Sequence, residues 1–267
     1  MSLEVLHANK DKLKFSELAA FILDLGNNFS EIKERAWEFI IMIALWHNKD
    51  KALSKDEIIK NIEEVFAFKN IPLFIIENAL TRLQTEGCID NECVDEEELY
   101  MLTNKGVDKV RSALSKRLNV EDKAVSIFMK ILERHLNHRL SDFEIEIAKR
   151  CLYEFLSRVF NQWSIVSSRL LTLEYINLDI PHYDVIIKDV ISGVRSPLKD
   201  AIKYAIEDFL KEASKNDVVA KFIASISQSY FIIQLLNLDP ELKKIQKESL
   251  MNITVYVDTN VIIPPFM

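Results

Sequence analysis

Four glycines, at 26, 87, 106 and 193, are all that this 267-residue chain contains. Glycine is the residue that enters left-handed backbone without strain, so such scarcity leaves little room for tight hairpins or phosphate-wrapping loops. The chain is therefore expected to be mainly α. An apolar content of 49% with 28% charged residues suits a globular protein with a packed core, and the length allows two modest domains. The formal net charge of -7 argues against broad attraction to nucleic acid and leaves only local basic patches open.

Three cysteines, Cys88, Cys93 and Cys151, are too few for a disulfide framework, and the odd count fits a reducing compartment. Acids and lysines interrupt the first apolar residues, which is unlike a secretory signal. The apolar runs Phe39 to Trp46 and Tyr230 to Leu236 are shorter than a membrane span. A cytoplasmic protein without a membrane partner is the expectation.

Residues 1–28 contain one short helix, with Phe15, Leu18, Ala19, Phe21, Ile22 and Leu25 at helical spacing before Gly26. Residues 29–118 follow a distinct order. A helix capped by Ser30 runs to about His47, with Ile32, Ala36, Phe39, Ile40 and Ile43 mostly on one face. Ser54 and Glu57 form a capping box for a second helix. Pro72 opens a third, which Gly87 ends. A strand at Cys88-Ile89, an acidic loop and a strand at Leu99 to Leu102 come next. Thr103 or Asn104 then caps a helix to about Leu118.

Helix, helix, helix, hairpin, helix resembles a winged helix-turn-helix domain, as do the Glu86-Gly87 turn and the Leu102-Thr103-x-x-Gly106 entry. That resemblance, over residues 30–118, implies DNA binding, which the charges oppose. The wing carries Asp90, Glu92, Asp95, Glu96, Glu97 and Glu98 with no Lys or Arg between them, and phosphate would repel it. The third helix offers Arg82 against Glu77 and Glu86, a thin basis for reading bases.

Residues 119–251 read as an all-α bundle. Helices are expected at about 121–138, from a second capping box at Ser141 and Glu144 to about 173, then at 183–192, 198–213, 217–236 and 240–250. Arg134, His135, His138 and Arg139 form its most basic short cluster, a candidate for nucleic-acid contact. Solvated helix faces carry such charges routinely. His135 and His138 at i, i+3 would also face one ion if Glu133 or Asp142 joined them.

Residues 252–267 change character. Ile253-Thr254-Val255-Tyr256-Val257 is rich in β-branched residues and ends on Asp258-Thr259-Asn260. Residues 253–264 resemble the opening strand of PIN-domain nucleases, a hydrophobic strand ending in Asp-Thr-Asn. The resemblance implies a metal-facing role for Asp258, support from Thr259 and Asn260, and an α/β domain of which this would be the first strand. Mg²⁺ or Mn²⁺ would serve only a complete PIN domain, because one carboxylate does not hold a divalent ion against water. No cofactor is expected in the chain itself, and no nuclease activity. A full-length relative would be a metal-dependent ribonuclease.

Three functions remain open. The chain is the N-terminal scaffolding or regulatory region of a PIN-domain protein, cut short as a gene product; or it is complete, a helical interaction module for a protein partner or a second copy; or it is a DNA-binding regulator, disfavoured by the acidic wing. RNA stays open as a partner.

Overall fold

The computed structural model describes residues 16–25, 29–66, 68, 70–171 and 183–240. Within them the order is α1 (Ser16–Leu25), α2 (Phe29–His47), β1 (Leu53–Ser54), α3 (Lys55–Phe66), α4 (Leu73–Thr85), β2 (Ile89–Val94), β3 (Glu97–Leu102), α5 (Asn104–Leu136), α6 (Asp142–Leu171), α7 (Tyr183–Val190), α8 (Leu198–Glu212) and α9 (Asp217–Leu238). The described chain is mainly helical, with one small antiparallel sheet in the order β1-β3-β2.

Local chemistry sets several boundaries. The box at the start of α3 forms as written: the Ser54 N–H donates to Glu57 Oε2 at 3.1 Å and the Glu57 N–H to Ser54 Oγ at 3.4 Å. Ser141 and Glu144 repeat it at the start of α6. At the end of α4, the Gly87 N–H reaches Gln84 O and the Cys88 N–H reaches Leu83 O, both at 2.8 Å, with Gly87 left-handed at φ 68°. That is a Schellman closure, and glycine supplies the backbone it needs. Gly106 answers a different demand. A Cβ there would lie 2.0 Å from the Cys88 carbonyl oxygen.

Several elements differ from expectation. The hairpin is tight although it lacks glycine: β2 and β3 pair from Ile89↔Leu102 to Val94↔Glu97, and Asp95 and Glu96 turn with φ of 50° and 70°. Two left-handed central residues match the twist of a two-residue hairpin, and Asp tolerates that region better than most residues. The expected acidic loop is thus largely strand. β1, too short to show a period, pairs Leu53 with Tyr100.

α2 is buried on every side from Ala36 to Trp46, not on one face. α1, α3, α4, α5 and β3 pack around it. The Trp37 Nε1–H also donates to the Pro240 carbonyl at 3.0 Å, which fixes the end of the bundle against α2. α1 docks through Leu18 to Ile22 and a stacked Phe21–Phe39 pair with centroids 4.7 Å apart.

α5 shows no break near Leu118. It is one helix of 33 residues, and no glycine or proline lies between Gly106 and Pro181 to interrupt it. Its first turns sit under the α4–β2 corner, and its last turns pack on α8, where Phe128 meets Phe209 edge-on at 5.6 Å. One helix thereby joins the region 29–118 to the bundle, and a single buried apolar cluster runs through both.

α9 is the one helix among the described residues long and apolar enough to cross a membrane, with 22 residues and a window hydropathy of 1.4. Serines and glutamines interrupt its apolar runs, so run length understated it. In this fold half of that window is buried, through Phe222, Ile226, Tyr230 and Ile233, against α1, α5 and α6. Of the helix expected at 240–250, residues 241–250 lie outside the described residues.

Candidate functional site

Two surfaces follow from the sequence. The first is the exposed face of α4 beside the β2–β3 hairpin. α4 buries Ile75, Ile76, Ala79, Leu80 and Leu83 and so turns Leu73, Phe74, Glu77, Asn78, Thr81 and Arg82 to solvent. Lys55, at the start of α3, lies 3.7 Å from Glu77 and 3.0 Å from Glu98, which places the helix face and the hairpin side by side. All six wing acids are exposed. Hydrogen bonds from Tyr100 and Lys55 hold the Glu98 carboxyl below its usual range, while burial, then Glu98, pushes the Tyr100 phenol up to about 12. Arg82 lies 3.7 Å from Glu38, which is buried inside α2.

Behind this face sits a network that sequence reading did not single out. Glu86, the C-cap of α4, receives Arg35 Nη2 at 2.8 Å and Lys109 Nζ at 3.1 Å, and its backbone carbonyl receives Lys105 Nζ at 2.6 Å. Arg35 Nε donates to Glu38 at 2.9 Å. α2, α4 and α5 are thus tied at one corner by charge-assisted bonds. The residues are scattered over 75 positions of sequence (35 to 109), so no local spacing announces them. Cys88 is buried beside Glu86 and Lys109; burial raises its thiol pKa, which opposes the thiolate a reactive cysteine requires.

The second surface is the basic cluster where α5 ends and α6 begins. Lys130, Arg134, His138 and Arg139 line a shallow groove with Glu133 and Glu212. His135 does not join them. Its Nε2 lies 3.0 Å from Asp208 on α8, and its ring leans on Tyr204. His138 Nε2 lies 3.1 Å from Glu144. The two histidines therefore hold different carboxylates instead of sharing an ion, and no metal-binding group of three or more His, Cys, Asp or Glu gathers among the described residues. α5 and α8 both end at this groove, so their carbonyl ends and two carboxylates set negative charge against its cations.

No family model, curated protein or solved structure matches this chain. Function must be argued from these surfaces and from the terminal motif. Asp258, Thr259 and Asn260 lie outside the described residues, so the strand, its carboxylate and the fit of a divalent ion to it rest on the sequence pattern alone.

Proposed function

We propose that this chain is a helical platform that works by contact with another protein, a partner or a second copy, and that it carries in residues 253–264 the opening strand of a PIN-like domain. In this reading residues 29–118 form a winged helix-turn-helix module turned to protein binding. Support for the module comes from the order helix, strand, helix, helix, hairpin, helix and from the sheet order β1-β3-β2. Asp258 is one metal-facing carboxylate of a larger set, and the 267 residues have no nuclease activity of their own.

The charge of the α4 and hairpin surface carries the proposal. A DNA-reading module needs cations where phosphates lie. Here Lys55 and Arg82 are each within ion-pair distance of carboxylates, six hairpin acids face solvent, and Leu73 and Phe74 are 49% and 46% exposed. Exposed apolar side chains on a surface whose charges are mainly acidic suit a protein partner better than a nucleic acid.

Duplex binding followed by fluorescence anisotropy at 50 and 200 mM salt is the direct test. The expected outcome is no binding at micromolar protein; salt-sensitive micromolar binding would overturn the protein-contact reading. A ribonuclease assay with Mn²⁺ or Mg²⁺ is expected to stay at background. Cleavage that vanishes in Asp258→Ala would refute the statement that these residues have no activity by themselves.

A further inference from the structure

The buried stripe of α5 is apolar except at its middle. Val110, Ala113 and Leu114 precede, and Ala124, Val125 and Phe128 follow, but Arg117 and Glu121 occupy the two positions between, at 3% and 4% exposure. Arg117 Nη2 lies 2.6 Å from Glu121 Oε2, and the Tyr153 hydroxyl of α6 donates to Glu121 Oε1 at 2.5 Å. Arg117 Nε has no hydrogen-bond partner among the described residues, and Arg117 Nη2 and Glu121 Oε2 meet off the hydrogen-bonding axis. Burial, then Glu121, pushes the Tyr153 phenol well above its usual range, which keeps it a donor.

An incompletely satisfied buried ion pair is a poor source of stability. Apolar residues of similar volume generally do as well or better, whereas separating the two charges is costly. The location gives the pair another use. It sits between the half of α5 that packs under the α4–β2 corner and the half that packs on α8. Arg117 and Glu121 are i, i+4, so they meet only while the helix continues between them. A bend or rotation at 118–120 would separate the buried charges and strip Glu121 of its Tyr153 donor. We propose that the Arg117–Glu121–Tyr153 cluster is a conformational lock. Beside the α1 contacts and the Trp37–Pro240 bond, it narrows the orientation of residues 29–102 on the bundle by penalising arrangements in which α5 is not continuous, and it does so without adding net stability.

The chain supplies its own probe site. Cys93 is exposed on β2, while Cys88 and Cys151 are buried. Spin labels on Cys93 and on a second cysteine at Lys215→Cys, in the exposed turn between α8 and α9, report the distance between the two regions. Tyr153→Phe is expected to lower Tm by roughly 5 °C, since it leaves a buried carboxylate oxygen without its donor. The triple variant Arg117→Met, Glu121→Leu, Tyr153→Phe is expected to recover that loss and melt at or above the parent, yet to give a broadened distance distribution. A triple variant with the parent's narrow distribution overturns the lock. So does one that fails to fold or melts more than about 10 °C below the parent, because the cluster would then be a source of stability.

Discussion

Arg35 Nη2 donates to both carboxylate oxygens of Glu86 at 2.8 Å, joining α2 to the C-cap of α4 across 51 positions of sequence. Lys109 reaches the same carboxylate from α5. α2, α4 and α5 are thus held at one acid.

Glu86 should make stability depend on acid pH. Burial alone would raise its pKa, but Lys109 and Arg35 outweigh that and hold it below the usual carboxylate range. A depressed folded-state pKa contributes stability that is present above the unfolded value of about 4.3 and is lost as pH falls through the folded one. The Glu86 side chain is 39% exposed, so solvent screening limits the contribution to about 1 kcal/mol. Thermal melts from pH 7 down to pH 3 are expected to show a drop below pH 4 that is smaller in Glu86→Gln, which starts lower at neutral pH. Parallel curves for the two proteins would remove Glu86 from this role.

His47 makes the opposite kind of pH dependence. Its Nε2 lies 2.8 Å from Glu17 on α1, and that bond, opposed by burial, raises its pKa. The stability it adds is complete below the unfolded value of about 6.5 and fades as pH rises through the raised folded value. α1 should therefore dock more tightly at pH 6 than at pH 8, by roughly 0.5–1 kcal/mol. Amide exchange in residues 16–25, corrected for intrinsic rate, measures this directly. In Glu17→Gln the protection of α1 should become nearly independent of pH over that interval.

The capping boxes show what was legible in the sequence and why. Ser54 with Glu57, and Ser141 with Glu144, act within one helical turn, so the sequence contains the whole interaction. The apolar period of α3 and α8 was readable for the same reason. What eluded sequence reading depends on contacts between distant segments. α2 is buried on all sides only because five other elements surround it. The Asp95–Glu96 turn places Glu96 in left-handed backbone that glutamate seldom adopts, and the pairing of β2 with β3 holds it there. The Glu86 network joins residues with no common spacing. Arg117 and Glu121 did leave a signal: continuing the 110, 113, 114 apolar period puts both charges inside. The histidines of the basic cluster face Asp208 and Glu144, neighbours that only the fold provides.

Ser54→Ala tests the first of these boxes. It removes the acceptor for the Glu57 N–H and leaves a donor of the first turn without its side-chain partner. A loss of about 1 kcal/mol is expected in urea unfolding, with an unchanged slope. Glu57 is also held by Lys51 at 2.5 Å, so Glu57→Gln should cost less than Ser54→Ala if the backbone cap is the main contribution.

Gly106→Ala separates a need for space from a need for backbone freedom. Gly106 lies in the first turn of α5, where the Thr103 hydroxyl accepts from its N–H at 3.1 Å. Alanine is the better helix former, so propensity alone predicts a gain of about 1 kcal/mol. Sterics predict the reverse. The added Cβ would sit 2.0 Å from the Cys88 carbonyl oxygen and 3.0 Å from its carbon, and these are backbone atoms that cannot swing aside. The same carbonyl accepts the Thr103 N–H at 3.1 Å, so moving it also disturbs the cap. Overpacking should win, with a net loss of about 2–3 kcal/mol. Gly193→Ala is the control, because a Cβ there meets nothing within 4 Å. Urea unfolding should show Gly106→Ala well below the parent and Gly193→Ala within about 0.5 kcal/mol of it. Equal midpoints for the two variants would mean that α5 does not pass as close to the α4–β2 corner as described.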